Sequence, residues 1–490
     1  MSKITKSLIH TFTGRYAFVI INLISMMTYA RMLTPEEIGV HVIAIAASSI
    51  IIELRLIGTG SYLIKLKEVK KEDTENVLFV TLCISLFLGF ILLSVSDWLS
   101  DFYSTPGMSA VIDILFATFL LSPFTAVSQS FFARTFNFKT LASINVLSAL
   151  FSFITTVFLI QIGLSYLSLA IGVLASHTFQ FFAHFFLKSE MVSWVPKPGN
   201  FKSILSFGGI LTIITFINKG LESIPELVLG KSLGTDASAL FSRGLGAVKF
   251  SNETVLGFVS PIITPYFSEA KRNGEYATQA FEKASSHVTV LIIPILLSLA
   301  VVPDLTISLL FGPQWLEASE LMSILCSAFA IKAPTQFLKN LLIVEGKELY
   351  ILLVKLFSFL IFIILALTLG VESLLKMAYA FAFAQIVEMA AFYFAVARCI
   401  NFNFKAHFTK QLKSYYIALI CMLVTFGLSR VSESLQLSLI AEAFILAIVL
   451  SVTWLALIKV LKHEVADTIY QLIRGVPLLK RLKLERFFLN

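Results

Sequence analysis

Long apolar stretches recur from one end of this 490-residue chain to the other. Each is close to the ~20 residues that a helix needs to cross the hydrocarbon core of a bilayer. Hydrophobic residues make up 57% of the chain and charged residues only 14%, which excludes an ordinary soluble globular domain. In lipid a segment must satisfy its own backbone hydrogen bonds, so helices are expected. The sequence therefore predicts a multi-pass, all-α integral membrane protein.

Marking the apolar stretches gives fourteen predicted transmembrane helices. Their approximate ranges are 10–31, 38–60, 77–96, 110–132, 141–160, 166–187, 204–229, 238–264, 287–310, 318–343, 349–369, 374–397, 412–430 and 438–458. The loops between them are short, and a basic tail follows the last one. None of the loops is long enough to form a separate soluble domain.

Lysine and arginine are distributed very unevenly between the two alternating sets of loops. One set holds roughly 27 of the 38 basic residues, and the other holds only Arg31, Lys231 and Arg430. Because basic loops stay on the cytoplasmic side of a membrane, both termini are predicted to be cytoplasmic. This topology also explains most of the formal net charge of +8, so the charge does not indicate a nucleic-acid partner.

No catalytic constellation is recognisable in the sequence. It lacks a phosphate-binding glycine loop, a metal-ligand cluster and a nucleophile–base pair, so neither an enzyme nor a cofactor is predicted. His177 and His184 share a helix face in an aromatic-rich span, where packing is the more common role. A membrane polymerase is the less favoured alternative, because it would be expected to have a long outer loop with catalytic side chains.

An internal repeat relates the ends of the first and seventh spans. The segments 31–40 and 231–240 share the order basic, any residue, Leu, small, any residue, acidic, and then a small residue. Six spans separate the copies, so both would have the same orientation, as in transporters built of parallel repeats. This predicts a six-helix bundle at 1–198, a second bundle at 199–400, and helices 13 and 14 with the basic tail at 401–490.

Several short motifs resemble a known transporter family. They are ARMLTPEEIGVHV (30–42), IGTGSYLIK (57–65), FARTFNFKTLA (132–142), LVLGKSLGTDASALFSRG (227–244), SPIITPYFSE (260–269), LLFGPQWLEASELMSIL (309–325) and LLIVEGKELY (341–350). In their order they resemble the bacterial polysaccharide-type flippases of the multidrug/oligosaccharidyl-lipid/polysaccharide (MOP) exporter superfamily. The resemblance covers roughly the first 400 residues.

This resemblance implies an architecture and an activity. The expected fold has two parallel six-helix bundles around a central cavity, with two peripheral helices. The expected activity is alternating-access export of a polyprenyl-diphosphate-linked oligosaccharide across the bacterial cytoplasmic membrane, for O-antigen or exopolysaccharide synthesis. The implied partners are the lipid-linked oligosaccharide, membrane lipid, and the polymerase and glycosyltransferases of the same pathway.

Charged residues inside the predicted spans are the candidate site. An ionised side chain costs about 2.5–3.5 kcal/mol or more at the centre of a membrane helix, so it usually faces a cavity or a partner. Cations would suit a diphosphate headgroup, and glutamates would suit an ion-coupling role. The candidates for headgroup binding are Lys219, Arg243, Lys332, Lys249, Lys339 and Arg55. The candidates for ion coupling are Glu222, Glu226 and Glu253.

Helical spacing groups some of these residues. Lys219, Glu222 and Glu226 are predicted to share one face of span 7, and Lys332 and Lys339 one face of span 10. Simpler roles remain open for others: Arg55 could pair with Glu53. An ion pair within one helix would explain the presence of Lys249 and Glu253. Lys339 and Lys355 lie near enough to the cytoplasmic side to belong to the topology signal.

A small-molecule or multidrug exporter of the same superfamily is the main alternative function. It would have the same number of helices, but its cavity would be expected to be anionic and to hold fewer lysines. The cations at Lys219, Arg243 and Lys332 favour the flippase over that alternative.

Overall fold

The fold of the chain, in a computed structural model, consists of helices and connecting loops. The structure describes residues 3–55, 62–63, 66, 68–199, 204, 209–400 and 402–469, and these residues contain no β-strand. Each of the fourteen predicted ranges contains helix, although residues 56–60 and 205–208 lie outside the described residues, and the count of fourteen spans stays a prediction. The helices belong to two compact units: Met1–Ser242 with Phe362–Met377, and Arg243–Ile361 with Ala378–Asn490.

The first unit is formed mainly by eight of the described helices. They are α1 (Lys3–Met32), α2 (Pro35–Leu54), α3 (Lys71–Ser94), α4 (Ser96–Tyr103), α5 (Met108–Arg134), α6 (Phe138–Gln161), α7 (Leu167–Leu187) and α8 (Gly209–Ser232). Neighbouring pairs pack along their length: α1 with α6, α3 with α5, α5 with α7, and α2 with α8. A cluster that includes Ile43, Ile112 and Phe119 forms part of its core.

The second unit contains the remaining helices. They are α9 (Thr235–Arg272, which starts in the first unit), α10 (Ala277–Val301), α11 (Pro303–Leu310), α12 (Ser319–Lys332), α13 (Leu338–Val344), α14 (Glu348–Leu365), α15 (Leu374–Cys399), α16 (Phe404–Ser434) and α17 (Leu439–Val460). Helix α10 packs against α12 and α16, and α16 packs against α17. One π-helical turn, Ala366–Gly370, follows α14 and belongs to the first unit, together with the last residues of α14 and the first residues of α15.

The outward faces of many helices are apolar. Among α17 residues, Leu446 and Ile458 are the buried ones, whereas Ile440 is 75% exposed. Phe87 of α3 and Phe186 of α7 are similarly exposed. Exposed apolar surface of this extent suits contact with lipid and not with water. Among the described residues, eleven helices are long and apolar enough to cross a membrane.

The two copies of the sequence repeat occupy equivalent helix ends. Helix α1 ends at Met32 and α2 begins at Pro35, while α8 ends at Ser232 and α9 begins at Thr235. The first turn of α2 is fixed by a capping box, in which Thr34 and Glu37 exchange backbone and side-chain hydrogen bonds. The division of the chain into repeats at 1–198 and 199–400, with a C-terminal part at 401–490, stays a prediction. Residues 470–490 of the basic tail lie outside the described residues.

Helix α2 packs unusually closely against α8 and against the first residue of α9. A Cβ atom added at Gly39 would overlap the backbone carbonyl of Thr235, and one added at Gly230 would lie 2.5 Å from Ile43 Cδ1. The hydroxyls of Ser49 and Ser223 are hydrogen-bonded to each other at 2.8 Å. In a membrane there is no hydrophobic driving force between helices. They associate instead through small residues, which allow close approach, and through buried hydroxyl groups that hydrogen-bond to each other.

Candidate functional site

Two of the three long helices that are not among the eleven strongly apolar ones carry most of the predicted site. Helices α8 and α9 are 24 and 38 residues long, yet they are not among the eleven strongly apolar ones. They carry Lys219, Glu222, Glu226, Arg243, Lys249 and Glu253. Charge on a membrane helix is tolerated where the helix faces water or a partner, so both helices are expected to face a polar space.

Lys332 and Lys355 donate hydrogen bonds to the same oxygen atom of Glu388. The distances from the two Nζ atoms to Glu388 Oε1 are 2.8 and 2.9 Å. Lys332 Nζ also lies 2.5 Å from Oε1 of Gln385. Helix α12 supplies Lys332, α14 supplies Lys355, and α15 supplies Gln385 and Glu388. We call these four residues the twin-lysine cluster.

Two members of the twin-lysine cluster, Lys355 and Glu388, lie well inside their helices. At about 1.5 Å per residue, Lys355 is roughly 10 Å along α14 from Glu348, and Glu388 is roughly 16 Å from the end of α15 at Cys399. The hydrocarbon core of a bilayer is about 30 Å thick, so we expect these two charges to lie within it. The cluster contains two ammonium groups and one carboxylate, and therefore carries an excess positive charge.

A break in the tenth predicted span positions Lys332. Helix α12 ends at Lys332, and a 3₁₀ turn, Ala333–Thr335, separates it from α13. Pro334 has no N–H to continue the helix. Two carbonyls freed there gain side-chain partners: Thr335 Oγ1 donates to the Lys332 carbonyl at 2.8 Å, and Ser285 Oγ donates to the Pro334 carbonyl at 2.9 Å. A lysine at the C-terminal end of α12 also complements the helix dipole.

The break changes the relation between Lys332 and Lys339. A 3₁₀ turn at Pro334 interrupts the helix between them, so the spacing of one regular helix does not apply, and their shared face stays a prediction. Lys332 has a side-chain exposure of 15%, whereas Lys339 is exposed. Lys339 is nevertheless close enough to interact electrostatically with Lys332, Lys355 and Glu388. It therefore adds positive charge beside the twin-lysine cluster.

A line of amide and hydroxyl groups connects α9 to the broken span. Gln336 Nε2 lies 3.4 Å from Asn252 Oδ1, and Asn340 Nδ2 donates to Thr264 Oγ1 at 2.8 Å. Glu253 is exposed beside Asn252. Uncharged groups of this kind can hydrogen-bond sugar hydroxyls as well as each other.

Arg243 is placed against aromatic rings near the start of α9. Its guanidinium carbon lies 5.5 Å from the ring centroid of Trp315 and 5.9 Å from that of Phe311. Both rings are fully buried, while Arg243 is half-buried. Stacking on aromatic faces is typical of arginine and leaves its N–H groups able to bind an oxyanion. The sequence identified this residue but not its aromatic support.

Arg55 is the most deeply buried of the predicted cations in the first unit. It forms the C-cap of α2 and is 5% exposed. Its guanidinium carbon lies 4.9 Å from the ring centroid of Phe119, and Nη1 lies 3.4 Å from Thr118 Oγ1. Within the described part of the chain, its Nε has no hydrogen-bond partner and no carboxylate lies in ion-pair distance. The Glu53 partner considered above is therefore not a close contact.

Lys219 and Glu222 of α8 form a loose ion pair. Their charged atoms are 3.5 Å apart, and both side chains are partly exposed. The third member of this predicted face, Glu226, follows Pro225. Its backbone carbonyl accepts a hydrogen bond from Ser238 Oγ at 2.9 Å. The pairing of Lys219 with Glu222 agrees with the predicted shared helix face.

The sequence alone does not reveal the role of two members of the twin-lysine cluster, Lys355 and Glu388. In the sequence, Lys355 lies near enough to the cytoplasmic side to belong to the topology signal, and no spacing links Glu388 to either lysine. The signal that the sequence does contain is the pair Gln385 and Glu388, which are three residues apart on α15 and so share a face.

His184, one of the two histidines noted in the sequence, packs against an aromatic side chain. Its ring stacks on that of Phe132, with the ring centroids 5.6 Å apart.

Residues 28–320 match the polysaccharide biosynthesis protein family, which is more than half of the chain. The chain belongs to this family. Two curated relatives are similar over most of their length. Teichuronic acid biosynthesis protein TuaB of Bacillus subtilis (strain 168) is 22% identical over 77% of this chain and 78% of its own. Lipopolysaccharide biosynthesis protein WzxC of Escherichia coli (strain K12) is 19% identical over 83% of this chain and 84% of its own.

Solved structures show the same fold. The lipid II flippase MurJ, in an inward closed conformation, superposes with a TM-score of 0.76 at 14% identity, over 93% of this chain and 99% of MurJ. An inward-facing multidrug resistance MATE family transporter of the MOP superfamily superposes with a TM-score of 0.62 at 15% identity, over 78% of this chain and 94% of the transporter. The predicted all-α fold of the MOP superfamily is confirmed.

Proposed function

We propose that this protein is a flippase that moves a polyprenyl-diphosphate-linked oligosaccharide across the bacterial cytoplasmic membrane for surface polysaccharide synthesis. Membership of the polysaccharide biosynthesis protein family supports this proposal. So do the names of its relatives, which include a succinoglycan biosynthesis transport protein of Rhizobium meliloti (strain 1021). The protein transports its substrate by alternating access, does not act as an enzyme, and has both termini in the cytoplasm.

The observation that carries the proposal is positive charge buried inside membrane helices. In the second unit, Lys332 and Lys355 share one carboxylate, and in the first unit Arg55 is buried against an aromatic ring. Uncompensated cations in a low-dielectric region attract anions strongly. A diphosphate is a multiply charged oxyanion to which lysine and arginine donate charge-assisted hydrogen bonds. A cationic drug would be repelled by the same groups.

We assign the predicted residues to this substrate as follows. Arg55, Arg243 and Lys332 contact the diphosphate headgroup at different stages of transport, with Lys219, Lys249 and Lys339 contributing positive potential along its path. Glu222, Glu226 and Glu253 are the candidates for binding a coupling proton or sodium ion. The polymerase and the glycosyltransferases of the pathway act on the oligosaccharide before and after transport.

Deletion of the gene in its host tests this function. A flippase deletion should abolish the surface polysaccharide and leave the lipid-linked oligosaccharide on the cytoplasmic face, protected from a glycosidase outside spheroplasts. Loss of a polymerase would instead leave that oligosaccharide accessible on the outer face. A multidrug exporter deletion would leave the polysaccharide intact and raise sensitivity to toxic compounds. Either of the last two results would contradict the proposal.

A further inference from the structure

We propose that Glu388 is a resident counter-anion: it holds Lys332 and Lys355 together until an oxyanion of the transported headgroup takes its place. The inference rests on the proposed function. It explains how the two lysines are held together when no substrate headgroup is bound. It also assigns Lys355, Gln385 and Glu388 to headgroup exchange.

The geometry at Glu388 resembles the coordination of a phosphate oxygen. Two ammonium groups converge on one oxygen atom from two different helices, at 2.8 and 2.9 Å. These distances are those of charge-assisted hydrogen bonds. Once the Glu388 carboxylate moves away, a phosphate or diphosphate oxygen can accept hydrogen bonds from the same two donors, and its greater negative charge compensates both lysines.

The charge of the twin-lysine cluster is not balanced internally. One carboxylate faces two ammonium groups, and Gln385 adds an acceptor without a charge. Among the described residues, Glu388 is the one acidic side chain in ion-pair distance of either lysine. Lys339 adds further positive charge in the neighbourhood. Burial of excess charge is unfavourable, so a bound anion stabilises the cluster.

The two lysines of the cluster are more exposed than the carboxylate that they share. The lysine side chains are 15% and 13% exposed, whereas Glu388 is only 4% exposed. An incoming anion therefore meets the ammonium groups first and the carboxylate last. Glu388 competes with this anion, which weakens its binding and so allows the headgroup to be released at the end of transport.

A thermal-shift titration of the purified full-length chain in detergent tests the exchange, with sodium pyrophosphate as the probe and potassium chloride at equal ionic strength as the reference. Glu388→Gln keeps the shape of the side chain but removes its charge. We expect this variant to unfold at a lower temperature in chloride, to be restored by pyrophosphate, and to bind pyrophosphate about tenfold more tightly than the wild type. Glu372→Gln is the matched control, because Glu372 is an exposed residue paired with Lys376.

Two further variants keep the test decisive if Glu388→Gln does not fold. In Lys355→Met the remaining Lys332–Glu388 pair is neutral, so pyrophosphate should no longer stabilise the protein. In the double variant Lys355→Met/Glu388→Gln a single cation remains, and the stability in chloride should return towards that of the wild type. If pyrophosphate stabilises the wild type, Lys355→Met and Glu388→Gln equally, the exchange proposal is wrong and the cluster is only structural.

Translocation is measured separately on the same preparations. Lipid-linked oligosaccharide transport by the wild type, together with equal pyrophosphate responses in all variants, would overturn the exchange and retain the flippase. The opposite pattern, with no transport but the expected pyrophosphate responses, would overturn the flippase and leave an oxyanion site. The two proposals can therefore fail independently.

Discussion

Gly39 of α2 and Thr235 of α9 are in contact through their backbones, with no space for even a methyl group at position 39. The contact joins the two copies of the sequence repeat, 31–40 and 231–240. Each copy begins a helix at its fifth residue, Pro35 in one and Thr235 in the other. A short sequence similarity has thus become a physical contact, which is maintained by the absence of a side chain at Gly39.

Replacement of Gly39 by Leu should separate α2 from the start of α9. Overpacking of a tight contact usually costs about 1–3 kcal/mol, so the variant should unfold at a lower temperature and transport poorly. Thermal unfolding of the purified protein in detergent measures the change. Gly427→Ala is the control, since no atom lies near a Cβ added there on α16. Equal stability of both variants would show that the contact is not restrictive.

Replacement of Arg55 by Met should reduce transport of the substrate without destabilising the folded protein. Removal of a buried charge in favour of an apolar side chain is often neutral or stabilising, so the protein should remain folded. Transport should fall by about tenfold or more, because a charge-assisted contact to the headgroup is lost. Arg430→Met is the control, as Arg430 is exposed and paired with Glu433 at 3.2 Å. A transport loss of similar size in both variants would refute a specific role for Arg55.

His463 predicts an acid-sensitive region just after α17. Its Nε2 lies 3.2 Å from Ser414 Oγ, and its Nδ1 accepts a hydrogen bond from the Val465 N–H at 3.2 Å. Burial lowers the pKa of His463 from 6.5 to about 4, with nearby His287 and Lys413 acting in the same direction. The unfolded chain therefore binds this proton more readily than the folded chain.

The contribution of neutral His463 to stability is present above about pH 6.5 and decreases as the pH falls towards 4. Hydrogen exchange of residues 461–469 should accelerate between pH 7 and pH 5 in the wild type, after correction for intrinsic rates. In His463→Gln, which has no ionisable group at this position, that acceleration should be smaller. The same pH response in both proteins would assign the effect to another group.

The alternation of basic and neutral loops predicts which loops are accessible from each side. Reporter fusions at Lys70, Lys197 and Lys410 should report the cytoplasm, and fusions near Thr105 and Gln314 should report the outside. Thr105 lies in the short connection between α4 and α5, and Gln314 lies in the 3₁₀ helix Pro313–Ala318 between α11 and α12. A cytoplasmic signal at either outer position would contradict the fourteen-span topology.

Hydropathy alone was sufficient to predict the long helices, because bilayer thickness imposes their length. The span predicted at 141–160 is α6, Phe138–Gln161, and the span predicted at 438–458 is α17, Leu439–Val460. Pro334 suggests a kink in the tenth span, but the sequence alone does not predict that α12 ends at Lys332 and is followed by a 3₁₀ turn. Proline is tolerated in many membrane helices where neighbouring groups satisfy the freed carbonyls. Here that depends on Ser285, which is distant in sequence.

The candidate site was predicted only in part, for a related reason. An intramembrane charge is visible in the sequence, but its partner is determined by packing. Glu388 pairs with Lys332 and Lys355, which are 56 and 33 residues away along the chain. No spacing rule connects such positions. The aromatic rings under Arg243 and Arg55 were inaccessible to sequence reasoning for the same reason.

The most direct test of the central claim is translocation in proteoliposomes whose inner leaflet carries a polyprenyl-diphosphate oligosaccharide. A lectin or glycosidase added outside detects oligosaccharide that has crossed the membrane. We predict exposure that depends on the protein and is reduced in Lys332→Met and Arg55→Met. No protein-dependent exposure, across several oligosaccharides and with proton or sodium gradients of either sign, would contradict the flippase and favour a small-molecule exporter.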